Sequence, residues 1–475
     1  MGFKEFWEEF FRYKSGIAGL ILLFGLAFMA IGAPLLAPTE AYENWLNDEY
    51  WVENPEGVPP TWAAWLMGKN LPGHIIMTDP VEEDRWQEPL PWGARVYRWV
   101  FKYDFYYDEP PKDLMFRVLG VTRGEKAPLI RIKIVRPDEK EITITCNYKL
   151  SERFRDTNCI SISVTGTKEA RFDPLSKGAT WRFAEKYETE ENMIKAIGMV
   201  IDEMDIVFRE AGPGMIFGDT PLLHGTYKFI ITVKMYNPGD RFDGMRVIVA
   251  GKVYGLLGTD IRGRDLWVGI VWGSRLALIV GLIGSVVSTV VGVFYGTVSA
   301  YLGGIKDEIL QRIYEVVASI PVLPILILMA AIFKPSVWNL ALMMALFYWT
   351  GPVKTVRSMA LQIKEEPYVE AARAIGASGW RILTKYIANQ VLPYTFALMA
   401  MTVPGVILTE AGISFLMGGE IISEPTWGRI LGDAHGYSKM WWWILPPGFM
   451  ICLTGLSFVL IGYALDKILN PMLKR

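Results

Sequence analysis

Hydropathy divides this chain into three stretches, and that division decides what it can fold into. Residues 15–37 form one long apolar run, and most of the sequence after Leu276 is apolar again, whereas residues 40–275 read as a soluble domain. Since roughly 20 apolar residues span a bilayer, both ends are transmembrane and the middle is not. The mean hydropathy of +0.24 conceals this partition by averaging over it. A signal peptide is a poor match to residues 15–37, because the run is long and no small-x-small cleavage site precedes Pro34.

Further spans are expected at residues 276–301, 313–333, 337–353, 391–417 and 442–465, six in all with the first. Pro321, Pro324, Pro404, Pro446 and Pro447 fall within them. Prolines are tolerated there when neighbouring helices re-satisfy the freed carbonyls. Trp441, Trp442 and Trp443 suit an interfacial belt at the start of the last span. Lys354, Arg357, Lys364, Arg373, Arg381 and Lys385 crowd the stretch between the fourth and fifth spans, and Lys467, Lys474 and Arg475 follow the last. The opposite loops hold only Lys334, Arg429 and Lys439. The positive-inside rule therefore places both termini in the cytoplasm, and by parity it places the large insert outside. The expected plan is an amphipathic N-terminus (1–14), a first transmembrane helix (15–37), an extracytoplasmic α+β insert (38–255) and a helical core (256–475) containing a cytoplasmic loop (364–390).

Phe3, Phe6, Trp7, Phe10 and Phe11 form one helical stripe, which fits either the membrane interface or the protein's own helices. Within the insert, residues 129–135, 141–146, 159–164, 226–235 and 245–254 alternate as half-buried strands do. Residues 188–208 read as a helix with Met193, Ile194, Ile197, Val200 and Ile201 apolar. Cys146 and Cys159 flank a polar stretch; a single bridge is one reading and two free thiols the other. Cys452, within an apolar run, is expected to pack. His74, His224 and His435 lie apart, with no second ligand at metal spacing, so no metal site is expected. A net charge of −2 gives no reason to expect nucleic acid.

The cytoplasmic loop contains Glu370-Ala371-Ala372-Arg373-Ala374-Ile375-Gly376. Pro367 suits the first turn of a short helix, and Gly376 can end it in a left-handed conformation. Ser378 then caps a second helix, with Leu383, Tyr386 and Ile387 on one face. An ordinary amphipathic connector is the alternative reading. The corner resembles the coupling segment of permease subunits of ATP-binding-cassette (ABC) importers.

Three further blocks make the resemblance specific. Gly258-Thr259-Asp260-Ile261-Arg262-Gly263-Arg264-Asp265, followed by Gly273-Ser274-Arg275-Leu276-Ala277-Leu278, is similar to the entry into the second span of the dipeptide/oligopeptide/nickel permeases, C-type partner. Tyr301-Leu302-Gly303-Gly304 with Asp307, Glu308 and Arg312 resembles that family's next turn. Thr409-Glu410-Ala411-Gly412-Ile413-Ser414-Phe415-Leu416 and Pro425-Thr426-Trp427-Gly428 resemble its final third. The similarity is loose over 15–37 and close over 256–475. Ala388-Asn389 stand where the family commonly has Leu-Pro, and Leu392-Pro393 come slightly later.

The resemblance implies a six-helix permease fold and a mechanical role. Glu370, Ala371, Ala372 and Gly376 would dock on a cytoplasmic ATPase. Partners would be a paralogous permease, two ABC ATPase subunits, an extracytoplasmic binding protein and membrane lipid. No Gly-x-x-x-x-Gly-Lys-Ser/Thr occurs, so ATP and Mg would be held by the ATPases and no cofactor by this chain. Cargo in such families is short peptide, nickel or oligosaccharide. Gly258, Thr259, Asp260, Gly263, Arg264 and Asp265 are expected to organise the entrance to span two. Glu410, a carboxylate deep in a span, would line the pathway, lock the partner interface, or set helix register. A membrane-anchored extracytoplasmic enzyme or sensor is the rival reading of the whole chain.

Overall fold

The computed structural model describes residues 3–89, 93–122, 128–147, 160–163, 175–237, 239–333, 336–417 and 424–469. They form two compact units, one of Met1–Asn47 with Leu266–Arg475 and one of Asp48–Asp265. The inserted unit thus begins and ends 10 residues later than the expected 38–255. The cause is local packing at each end. Tyr42 stacks on Trp272 with ring centroids 4.3 Å apart, which binds residues 39–47 to the helical unit. Residues 254–265, conversely, fold back on residues 54–59.

In the helical unit, Lys14–Ile31, Leu266–Leu302, Gly379–Met417 and Trp441–Leu469 are each long and apolar enough to cross a bilayer. A fifth candidate is bent: Gly304–Ser319 and Val322–Ile332 meet at 74°, so the single span expected at 313–333 is corrected to a broken pair. Pro321 pushes Ile320 into extended backbone, with ψ 125°, and ends the first helix. The span expected at 337–353 divides at Trp349 into Val337–Tyr348 and Thr350–Lys364. The span expected at 391–417 begins earlier, because helix runs on from Gly379 through a wide π turn at Ile382–Ala388 before Pro393.

Glycines set how closely these helices approach. A Cβ on Gly292 would lie 2.2 Å from the carbonyl oxygen of Trp349, and one on Gly296 2.7 Å from that of Val353. Spaced four apart, they form a notch into which Thr350–Lys364 is pressed, as small-x-x-x-small pairs allow in membranes. Gly19 likewise seats the first span against Ser457 and Ile461 of the last. The N-terminal stripe packs on its own protein: Phe10 is buried with Ala464 and Ile468, while Phe11 stays exposed. Cys452, expected to pack, is exposed on the Trp441–Leu469 helix.

The inserted unit is two antiparallel sheets sharing one core. The strands are β1 (Ile75–Met77), β2 (Glu82–Gln87), β3 (Arg95–Phe105), β4 (Asp113–Thr122), β5 (Leu129–Val135), β6 (Glu141–Asn147), β7 (Ile160–Ser163), β8 (Gly225–Met235) and β9 (Arg241–Ala250). Their orders are β2-β3-β8-β5-β6 and β1-β9-β4-β7. Phe101, Tyr103 and Phe105 of β3 and Tyr227, Phe229 and Ile231 of β8 point inward, alongside Phe116 of β4 and Val247 of β9. The helix expected at 188–208 is instead two short helices, Glu190–Ala196 and Glu203–Phe208, parted by Gly198 at φ +85°. Thr189 and Asp202 cap them by accepting from the backbone N–H of Asn192 and Met204. Ile194, Ile197 and Val200 are consequently exposed and not on a core face. The Cys146–Cys159 pairing falls outside the described residues.

Candidate functional site

Pro367 occupies the first turn of the Pro367–Ala374 helix, where a missing N–H costs nothing. At the other end Gly376 takes φ +85°. Its N–H donates to the carbonyl of Arg373 at 3.0 Å, and that of Ala377 to Ala372 at 3.0 Å. This pair of bonds is a Schellman motif, which satisfies two carbonyls the helix end would otherwise leave open. The Ser378 hydroxyl then accepts from the N–H of Arg381 at 3.4 Å and starts the next helix. A capped corner between the two helices results from local chemistry alone.

The corner has an inner and an outer side. Val369 is buried in one cluster with Ala300, Ala360, Ile382 and Ile387, and Ala372, one turn further on, is buried as well. That cluster connects the corner to the end of the Leu266–Leu302 helix. Gly379 reinforces the connection, since a Cβ there would lie 2.5 Å from the Tyr301 hydroxyl. Outward stand Glu370, Ala371 and Gly376, with Ile375 84% and Trp380 66% exposed. Of the four coupling candidates, three therefore face out, while Ala372 faces in and anchors.

The six residues expected at the entrance to span two come together as a buckle. Thr259 donates through its hydroxyl to the Pro55 carbonyl at 2.7 Å and accepts from the N–H of Val58 at 3.2 Å. Asp260 is fully buried; its Oδ1 accepts from the N–H groups of Arg262 and Arg264, each at 2.9 Å, and its Oδ2 from the Arg264 guanidinium. Gly258 and Gly263 supply left-handed turns at φ +77° and +76°, and Asn54 donates to the Gly263 carbonyl at 3.0 Å. Asp265 closes the loop by bridging to Thr259. Such a constellation holds backbone in place, because every bond to the buried Asp260 carboxylate comes from its own loop.

Glu410 is buried in the helix that ends at Met417. The Ser414 hydroxyl donates to its Oε1 at 2.7 Å, and the Thr426 hydroxyl also bonds to it. Thr426 caps the short Trp427–Asp433 helix, whose Gly428 lies so close to Ala411 that a Cβ would reach its Cα at 2.5 Å. Trp427 donates its indole N–H to the Ile270 carbonyl at 3.0 Å. The short helix is thus wedged between two long ones, with Glu410 at the contact. Asp307 forms a second polar centre, engaged by Arg357, Ser299 and, through Ser299, Gln311. Sequence reasoning had both residues in view but not their pairing, because no spacing rule links positions so far apart. Among the described residues no three His, Cys, Asp or Glu side chains gather as a metal site.

A bundle of apolar helices with prolines inside them and a solvent-facing corner is the anatomy of a membrane transport component. Comparison with known proteins agrees. Residues 272–475 match the model of the binding-protein-dependent transport system inner membrane component, and residues 3–53 that of the N-terminal transmembrane domain of oligopeptide transport permease C. The oligopeptide transport system permease protein OppC of Haemophilus influenzae is 34% identical over 219 residues, covering 46% of this chain and 70% of that one. The dipeptide transport system permease protein DppC of Bacillus subtilis is 34% identical over 220 residues, 46% of this chain and 69% of its own. The probable D,D-dipeptide transport system permease protein DdpC of Escherichia coli is 31% identical over 215 residues, 45% and 72%. The chain belongs to this permease family. It is a multi-pass membrane permease subunit of an ABC importer, of the OppC/DppC type, and not an enzyme; the ATPase is a separate subunit. The family has no cofactor of its own and works within a transporter complex. Residues 54–271 lie outside both matched ranges.

Proposed function

We propose that this chain forms half of the translocation pathway for short peptides, beside a paralogous permease, and takes its drive from two cytoplasmic ATPase subunits that hold ATP and Mg. The single observation that carries the coupling role is the Schellman-capped corner. Its outer side offers Glu370, Ala371, Ile375 and Trp380, while Val369 on its inner side connects it to the Leu266–Leu302 helix through the cluster that holds Ala300. A groove on an ATPase that grips such a corner can move the helices behind it as one body. Peptide as cargo is supported by what the relatives' names say of those proteins. Six spans follow if the bent pair counts as one and Val337–Tyr348 with Thr350–Lys364 as another. The lysine and arginine distribution puts the corner and both termini in the cytoplasm, and the Asp48–Asp265 unit outside, where a binding protein delivers cargo.

The buckle at 258–265 then fixes the outer approach to the second span. Glu410 latches the Trp427–Asp433 helix and does not line the pathway, since Ser414 and Thr426 engage it within the protein. Replacing Gly376 with proline tests the coupling role. Proline cannot adopt φ +85° and lacks the N–H that caps Arg373. Transport should be abolished while membrane insertion persists; full transport by Gly376→Pro would overturn the proposal.

A further inference from the structure

In the inserted unit two arginines stand side by side and share one carboxylate. Arg117 of β4 and Arg246 of β9 are directly opposed in the antiparallel ladder. Their neighbours Phe116, Val118, Met245 and Val247 point into the core, so both guanidiniums project from the other face. Two residues along the ladder, Met115 and Ile248 are fully buried on that same face, so the arginines stand beside a covered area. Like charges directly opposite one another are destabilising, and something must offset them. Glu53 does so in part. It accepts from the Arg117 guanidinium, while Nη1 of Arg246 lies 3.5 Å from the same Oε1.

Two guanidiniums against one carboxylate leave one positive charge over. Among the described residues, Nε of Arg246 is buried and has no hydrogen-bond partner. A buried N–H without an acceptor is costly, and a guanidinium is the donor that takes a carboxylate with two parallel bonds. The side chains of Arg117, Arg246 and Glu53 are 20%, 38% and 15% exposed. The group is thus open to solvent yet partly desolvated, where an ion pair is worth more than on an open surface. We propose that Arg117 and Arg246 form a binding site for a single carboxylate, whose source is the C-terminus of a short peptide. One surplus charge matches a monoanion, whereas a phosphate dianion would exceed it. Both arginines lie in the stretch that neither family model matches. The peptide as source rests on the peptide-import reading above; the site itself rests on the geometry of the three side chains.

The test is equilibrium dialysis of radiolabelled tri-alanine against the full chain in nanodiscs, with no ATPase present. Saturable binding is expected, and tri-alanine amide, which lacks the carboxylate, should bind about tenfold more weakly. Arg246→Gln should weaken tri-alanine binding by about tenfold as well. Glu53→Gln should instead tighten it about threefold, because it removes the carboxylate that competes for the same donors. A merely structural triad gives no such gain. Absence of saturable binding, indifference to amidation, or unchanged binding by Arg246→Gln would each overturn the proposal. So would inorganic phosphate that competes as well as tri-alanine, which would assign the site to an inorganic anion. Thermal midpoints near wild type show that the variants fold. Arg246→Lys, which keeps the charge but loses the fork, replaces a glutamine variant that does not fold and should weaken binding severalfold. No transport step enters the measurement, so its failure would leave the coupling role standing.

Discussion

Arg357 holds Asp307 with two nitrogens, Nε lying 2.9 Å from Oδ1, across 50 residues of sequence. The Ser299 hydroxyl donates to the same carboxylate, and the Gln311 amide donates to Ser299. Three helices, Leu266–Leu302, Gly304–Ser319 and Thr350–Lys364, are fastened together by this cluster. The pair is partly exposed, so removing one partner should cost less than for a fully buried pair, about 1–3 kcal/mol. Asp307→Asn is expected to lower the thermal midpoint in detergent. Combining it with Arg357→Leu should cost less than the two single changes added, and strict additivity would show that the pair does not couple.

Close approach at Gly292 gives a sharper contrast. A methyl group there must displace the Trp349 carbonyl, whereas nothing lies within 4 Å of a Cβ on Gly412. Gly292→Ala should therefore destabilise by about 1–3 kcal/mol through overpacking. Gly412→Ala should be neutral or stabilising by up to about 1 kcal/mol, from helix propensity. Thermal unfolding of the two variants side by side checks both signs.

In the inserted unit Glu188 accepts from the N–H of Thr189 at 3.0 Å, from Asn192 at 2.8 Å and from the N–H of Gly214 at 2.8 Å. Burial pushes its carboxyl up, but these donors outweigh burial and hold it below the ordinary carboxylate value. A depressed carboxylate contributes stability above its unfolded value and loses it as pH falls through the folded one. Glu188→Gln should cost about 1 kcal/mol at pH 7, and the difference from wild type should vanish in acid. Limited proteolysis of the unit as a function of pH measures both.

How much of this was legible beforehand depends on the range of each interaction. The corner at 367–378 was readable residue by residue, because proline, glycine and serine act on their own backbone. The strands β5 and β8 were readable from alternation. β3 and β4 were not read, since Arg98, Lys102, Asp104 and Arg117 lie among the apolar residues of their outward faces, and the core face is recognised only once β8 and β9 lie beside them. The helix expected at 188–208 failed at Gly198, whose positive φ ends it where apolar periodicity alone would continue. Pairings such as Asp307 with Arg357 are set by the whole bundle and have no local signature.

Glu410 separates a structural from a conducting role. Its carboxyl is engaged by Ser414 and Thr426 inside the protein, an arrangement an amide can largely reproduce. Glu410→Gln is expected to keep more than about half of transport, whereas Glu410→Leu, which strands two buried hydroxyls, should cost about 2–3 kcal/mol. Transport assays with both variants decide the matter: loss of transport in the glutamine form with stability intact would return Glu410 to the pathway.

The coupling role is most directly tested at Ile375, the most exposed large apolar residue of the corner. Ile375→Cys would be treated with a membrane-impermeant maleimide in inside-out and right-side-out vesicles, with and without the ATPase subunits, and modification read by mass at position 375. The expected result is labelling only in inside-out vesicles, with strong protection once the ATPases are assembled. Labelling from the outer face, or a rate that the ATPases leave unchanged, would contradict a docking corner at this position.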